Sequence, residues 1–352
     1  MSLQAEARSN VADSIPAAIA PHIDAAFDAL FAPSANSARI GESVVRLQPE
    51  HADGMRDVRV RWSLCGAVDG PLVIVQGGIS ADRHVAANGR ESGWWNDIVG
   101  DRCAIDLRCR RVLSIDWLAR ADLGDALAVS TDDQADAIAG VLDVLGIRRA
   151  QAFVGASYGA MVGLAFAARH ARRLERIVAV AGAHRAHPLS IAVRNIQREV
   201  VRLGARLGDT SAGLDLARRL AMTTYRGERE FAERCAEAPH FTDGRFRFAE
   251  EPWLAAAGAS FAQRFDAERY LSLSESIDLH TIEPEDVRVP TTLIGIASDR
   301  VVPLADLCEL QRRCGARATL HVIDSRYGHD AFLKEPAQLG ALLNEALDIP
   351  GA

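Results

Sequence analysis

Residues 43–47 and 58–62 alternate apolar and polar side chains, the period of two expected of a strand with one wet face. Leu72-Val73-Ile74-Val75 is apolar without a break, as in a strand covered on both faces, and Gly70-Pro71 before it reads as a turn. The same reading predicts strands at 111–116, 150–154, 177–181, 291–296 and 318–323. Helical spacing takes over at 131–145, with Ser130 or Thr131 as cap and Gly146 as stop, and again at 304–314 and 337–346. Strands alternating with helices predict an α/β fold, a mostly parallel sheet with helices on both faces. The alternation breaks near residue 190. From there to about 279 the stretches are amphipathic and helical, clearest at 191–203 and 214–225, and no strand is expected. This divides the chain into a core at 39–187, a helical lid insertion at 188–280 and the rest of the core at 281–352. Residues 1–38, rich in alanine, read as an extension that is partly disordered or helical.

Composition narrows the class. With 352 residues, 49% hydrophobic and 25% charged, the chain can bury a sizeable core and matches ordinary globular usage. A net charge of -7 argues against nucleic acid as partner, though local arginines can still hold a small anion. No stretch reaches the ~18 apolar residues of a membrane span. The N-terminus lacks the basic start and apolar core of a signal peptide, so a soluble cytoplasmic protein is expected, with no membrane partner. Cys65, Cys103, Cys109, Cys235, Cys308 and Cys314 are scattered without ligand-like pairs, which predicts reduced thiols and no metal.

Chemistry concentrates at Gly155-Ala156-Ser157-Tyr158-Gly159, between a predicted strand and a small-residue helix. That order suits a nucleophile elbow, where flanking glycines permit a sharp turn and the hydroxyl stands at a helix N-terminus. Ser298-Asp299-Arg300 and Tyr327-Gly328-His329-Asp330 each follow a later predicted strand. Ser157, Asp299 and His329 thus occur in the order of the α/β-hydrolase fold, with the acid and the base each just past a strand. His329 would take the serine proton and Asp299 would hold the imidazole in the right tautomer. Gln76-Gly77-Gly78-Ile79 ends another interior strand, so the N–H groups of Ile79 and Tyr158 are the expected oxyanion hole. Acyl transfer follows. These residues alone leave the acceptor open between water and a bound hydroxyl.

A resemblance spanning most of the chain bears on the acceptor. Gly93-Trp94-Trp95-Asn96-Asp97, Ala81-Asp82-Arg83-His84-Val85, Ser190-Ile191-Ala192-Val193-Arg194-Asn195-Ile196-Gln197-Arg198, Gly213-Leu214-Asp215-Leu216-Ala217-Arg218 and Tyr327-Gly328-His329-Asp330-Ala331-Phe332-Leu333 together resemble homoserine O-acyltransferases of the MetX type. The resemblance implies L-homoserine as acceptor and an acyl-CoA as donor, with no cofactor beyond that substrate. It also implies Arg218 as partner of the acceptor's carboxylate, Asp330 of its ammonium, and a homodimer built through the lid helices. For the acyl group, succinyl-CoA is favoured over acetyl-CoA. A succinyl tail ends in a carboxylate that needs a buried cation, and Arg83 and Arg90 follow the oxyanion glycines beside Trp94 and Trp95. The competing expectations are a homoserine O-acetyltransferase, a serine O-acyltransferase, an esterase or thioesterase, and a non-catalytic relative that only binds.

Overall fold

A computed structural model of the chain describes residues 38–88 and 91–348. β1 (Arg39–Leu47) and β2 (Arg56–Gly66) form an antiparallel pair at one edge of an eight-stranded sheet. β3 (Leu72–Gln76) follows, then the two-residue strands β4 (Val99–Gly100) and β5 (Ile105–Asp106), which pair with each other. β6 (Arg111–Ile115), α1 (Thr131–Val144), β7 (Ala152–Ala156), α2 (Tyr158–Arg169) and β8 (Ile177–Val180) then alternate. Between β8 and the next sheet strand come α3 (Pro188–Arg206), α4 (Thr210–Tyr225), α5 (Glu228–Arg234), β9 (His240–Thr242), β10 (Arg245–Arg247), α6 (Glu250–Ala262) and α7 (Ala267–Leu279). β11 (Thr291–Ile296), α8 (Leu304–Cys314), β12 (Ala318–Ile323), α9 (Ala331–Lys334) and α10 (Pro336–Asp348) complete the described chain.

The sheet order is β1-β2-β6-β3-β7-β8-β11-β12, parallel from β6 onward. Its interior strands are buried along their length, and successive side chains feed opposite faces. Phe153, Ile177 and Ala179 enter the core beneath α1 and α2, whereas Val154, Val178 and Val180 join Leu339, Leu343 and Leu347 of α10 on the other side. Fully burying one such side chain stabilises the fold by about 1.5–3 kcal/mol. Helix α1 begins as its cap predicts: Ser130 Oγ accepts from Asp133 N at 3.1 Å, and Asp133 Oδ2 accepts from Ser130 N at 2.8 Å. These parallel strands end on one edge of the sheet, where such folds place their ligand crevice.

One sequence expectation fails in the insertion. Residues 188–279 contain a strand pair as well as helices, β9 and β10. Asp243 and Gly244 connect them with φ values of 49° and 76°, the left-handed pair that a two-residue hairpin loop demands. Three-residue strands are too short to show a period, so the Asp-Gly turn was the available signal. The extension expected at 1–38 lies outside the described residues except for Ala38. All six cysteines are free thiols. No helix among the described residues is long and apolar enough to cross a membrane, and no group of them could hold a metal ion.

Candidate active site

Ser157 sits between β7 and α2 with φ 56° and ψ −118°, a strained backbone that few non-glycine residues adopt. The strain is held by packing. A Cβ added to Gly155 would lie 2.2 Å from the Gly159 carbonyl oxygen, and one on Gly159 would lie 2.2 Å from the Gln76 carbonyl oxygen. Both flanking glycines are therefore required by close approach of backbone to backbone. Ser157 N donates to Val180 O at 2.8 Å and Gly159 N to Gly77 O at 2.9 Å, so the turn is pinned to both neighbouring strands.

His329 reaches the serine from the loop after β12. Ser157 Oγ lies 2.8 Å from His329 Nε2, and His329 Nδ1 lies 2.7 Å from Asp299 Oδ2. A carboxylate only accepts, so Nδ1 carries the proton and Nε2 is left to accept from the serine hydroxyl. Asp299 is fixed in turn by the N–H groups of Val301 and Val302, which donate to its Oδ1 at 2.8 and 3.0 Å. Burial works against the charged imidazole, but the charge and hydrogen bond of Asp299, helped by Asp330, outweigh it and raise the His329 pKa above the ordinary histidine value.

Tyr158 is the first residue of α2, where a helix leaves its N–H without an internal partner. Its buried phenol bonds Ser276 Oγ at 2.7 Å, tying the elbow to α7. The loop after β3 passes alongside: a Cβ on Gly78 would stand 4.0 Å from that of Ser157. Gly78 O accepts from Trp117 Nε1 at 3.0 Å and from Ala81 N at 2.9 Å. Because a trans peptide points its C=O and N–H in opposite directions, this clamp turns the Ile79 N–H the other way. Ile79, Ser157 and His329 share the wall of a cleft of ≈ 670 Å³.

Comparison with known proteins decides the family. An α/β-hydrolase fold model matches residues 71–336. The chain is 50% identical to a homoserine O-succinyltransferase of Xanthomonas campestris pv. campestris over 88% of its own length and 84% of that protein's. It is 30% identical to a homoserine O-acetyltransferase of Moorella thermoacetica over 78% of this chain and 85% of the other. The chain belongs to the homoserine O-acyltransferases of the α/β-hydrolase fold. A crystal structure of a homoserine O-acetyltransferase from Bacillus anthracis superposes with a TM-score of 0.80, covering 90% of this chain and 99% of that one; at 18% identity this likeness concerns the fold alone.

The insertion of this acyltransferase brings further charges to the cleft. Arg218 of α4 lies over the rings of Tyr225 and Phe261, 5.4 and 5.2 Å from their centroids, and has no ion-pair partner among the described residues. Its neighbour Arg219 faces away and pairs with Asp215. Asp330 lines the same cleft, with Oδ2 2.8 Å from Arg226 Nε, and Arg226 is shared with Glu230. Any cation arriving at Asp330 must therefore share it with Arg226.

Arg83 is a correction. Its Nη1 donates to Asp116 Oδ2 at 2.6 Å and its backbone N to Asp116 Oδ1 at 3.0 Å, while Ala81 and Asp82 line the cleft. The guanidinium braces the loop to the end of β6 and does not line the cleft beside Ser157. Arg90 lies outside the described residues. Sequence reading assigned no role to Trp117, Tyr225 or Arg194. Trp117 lies two residues past β6 and so was placed to reach the neighbouring loop, but no motif marks it.

Proposed function

We propose that this enzyme transfers a succinyl group from succinyl-CoA to the hydroxyl of L-homoserine through an acyl-Ser157 intermediate. The observation that carries the reading is the Ser157–His329–Asp299 line opening onto a cleft that also holds an unpaired arginine, Arg218, and an acid, Asp330. A zwitterionic acceptor needs one cation and one anion on either side of its hydroxyl. The name of the Xanthomonas relative favours succinyl as the acyl group.

In the first half-reaction His329 Nε2 takes the Ser157 proton as Oγ attacks the thioester carbonyl. The N–H groups of Ile79 and Tyr158 receive the oxyanion, a stabilisation of roughly 3–4 kcal/mol per donor. Collapse expels the CoA thiolate, which takes the proton from His329. The acceptor hydroxyl then gives its proton to the same nitrogen and attacks the acyl-serine. The second collapse releases the ester and returns the proton to Ser157. No cofactor enters; acyl-CoA is consumed as a substrate. Arg264 and Lys334 at the cleft provide cations for the phosphates of CoA. A cytoplasmic location accords with a reaction that spends CoA thioesters. Ile196, Leu203 and Leu207 leave large apolar side chains exposed on α3 and its C-terminus, a stripe suited to a homodimer through the insertion.

The test is CoA release by purified protein from succinyl-CoA and acetyl-CoA, each with homoserine, with serine and with no acceptor. Fastest release is expected for succinyl-CoA with homoserine. Equal release without acceptor would make the enzyme a thioesterase, and preference for serine would reassign the acceptor.

Two variants probe the assigned parts. Arg218→Ala is expected to raise the homoserine KM or lower kcat, with an overall loss of about 100-fold, and to spare burst acylation of Ser157, which does not involve the acceptor. Collapse of acylation in the folded variant would refute that role. Trp117→Phe keeps the ring against Tyr158, 4.9 Å between centroids, but deletes the donor to Gly78 O. It is expected to lower kcat about 10-fold with KM unchanged, because a loosened peptide aims Ile79 N–H less well at the oxyanion. Stopped-flow acylation rates check this.

A further inference from the structure

Helix α3 brings a second guanidinium, Arg194, to the wall of a recess that Ser157 also lines. Arg194 is 8% exposed, and its Nε donates to Asp278 Oδ1 at 2.6 Å. Arg198 donates to the other oxygen of the same carboxylate, also at 2.6 Å, and to Ser274 O and Oγ at 3.1 Å. One carboxylate is thus shared by two guanidiniums, leaving a surplus positive charge below the surface. Arg194 Nη2 is buried with no hydrogen-bond partner among the described residues. A bridge serving only to fasten α3 to α7 has no use for that surplus, and an unpaired buried cation is costly.

The place where this donor stands argues for its use. A narrow recess of ≈ 20 Å³ is walled by Ser157, His329, Tyr225 and Arg194, and a cavity of ≈ 340 Å³ behind it shares Arg194, Tyr225 and Val301. Arg218 and Asp330 line neither; they lie in the open cleft, with Tyr225 common to both sides. The recess itself, walled also by Met161, Val301, Val302 and Ile277, has room for about one water, and the larger cavity that shares Arg194 has the room a short acyl chain needs. Of its other charged or titratable residues, Arg185 is paired with Glu309 at 2.9 Å, while Asp306 and His187 also line the recess and Arg300 lines the adjoining cavity. The reaction brings two carboxylates to Ser157, one on the acceptor and one at the end of a succinyl group. An acetyl donor brings only the first.

We infer that Arg194 binds the terminal carboxylate of the donor's acyl chain and so selects succinyl-CoA, the role that sequence reading gave to Arg83. This rests on the acyltransferase reading above. The guanidinium is held rigidly by Asp278, which sets its direction and lowers the entropy lost on binding.

The experiment compares kcat/KM for succinyl-, butyryl- and acetyl-CoA, with homoserine as acceptor, in the wild type and in Arg194→Met and Arg194→Lys. Butyryl-CoA matches the succinyl chain in length without its charge. The wild type is expected to favour succinyl-CoA over butyryl-CoA by about 100-fold or more, as for a broken buried charge pair. Arg194→Met should lose about that factor with succinyl-CoA, stay within about 3-fold with acetyl-CoA, and leave the homoserine KM unchanged. Arg194→Lys should keep part of the preference. Retained acetyl transfer reports that the variants are folded. If they fold poorly, the wild-type ratio still decides, and a ratio near one overturns the assignment. Equal losses with every donor and a raised homoserine KM would overturn it too, making Arg194 an acceptor residue. A wild type that acylates no acceptor from any donor refutes the acyltransferase reading itself.

Discussion

Ser157→Ala is expected to abolish acyl transfer, with a loss of roughly a million-fold in kcat, while the protein stays folded. The hydroxyl accepts no cap bond from α2 and makes its contact with His329 Nε2 at 2.8 Å, so removing one oxygen costs the fold little. The backbone at φ 56° is unchanged by an alanine. The same variant tests the order of events. Wild-type enzyme mixed with acyl-CoA and no acceptor should gain one acyl group by intact-mass spectrometry, and initial-velocity lines against the two substrates should run parallel. Ser157→Ala should gain no mass. Intersecting lines with no acyl-enzyme would mean direct transfer in a ternary complex, which a single nucleophile between one oxyanion hole and one base does not suggest.

Asp299→Asn should cost about 10⁴-fold in kcat with little change in KM. An amide donating to His329 Nδ1 reverses the tautomer and puts the proton on Nε2, where the serine needs an acceptor. The pH profile gives the sign. Activity requires neutral His329, and its folded pKa is raised, so the acid limb of kcat/KM in the wild type should lie above the ordinary histidine value of about 6.5. In Asp299→Asn the raising charge is gone and burial remains, so the residual activity should have its acid limb at lower pH. The stability this ion pair contributes is fully present below about pH 6.5 and is lost as pH rises through the raised folded value. An unshifted limb in Asp299→Asn would mean that another group governs the profile.

Much of the fold was legible along the chain because its strands are buried on both faces. Leu72-Val73-Ile74-Val75 reads as an uninterrupted apolar run, and α1 announces its start through Ser130 and Asp133. Ser157, Asp299 and His329 were legible for a related reason: each follows a strand at a turn whose residue types the geometry restricts. The hairpin at Asp243-Gly244 was missed because three-residue strands show no period.

The sequence by itself determined the alternation of strand and helix, the break where the insertion starts, and a nucleophile, acid and base in hydrolase order. Tertiary structure decided which cations are free. Arg83 and Asp116 are distant in the chain but meet because β3 and β6 are neighbours in the sheet, and the resulting pair removes Arg83 from the cleft. Arg194 and Arg218 are alike as residues on amphipathic helices. One is buried against Asp278 with a donor left over, and the other lies over Tyr225 and Phe261 with no ion-pair partner among the described residues. Charge and helical phase can be read from a chain, but whether a guanidinium is already neutralised depends on partners set by strand order and helix packing. Periodicity carries no record of those.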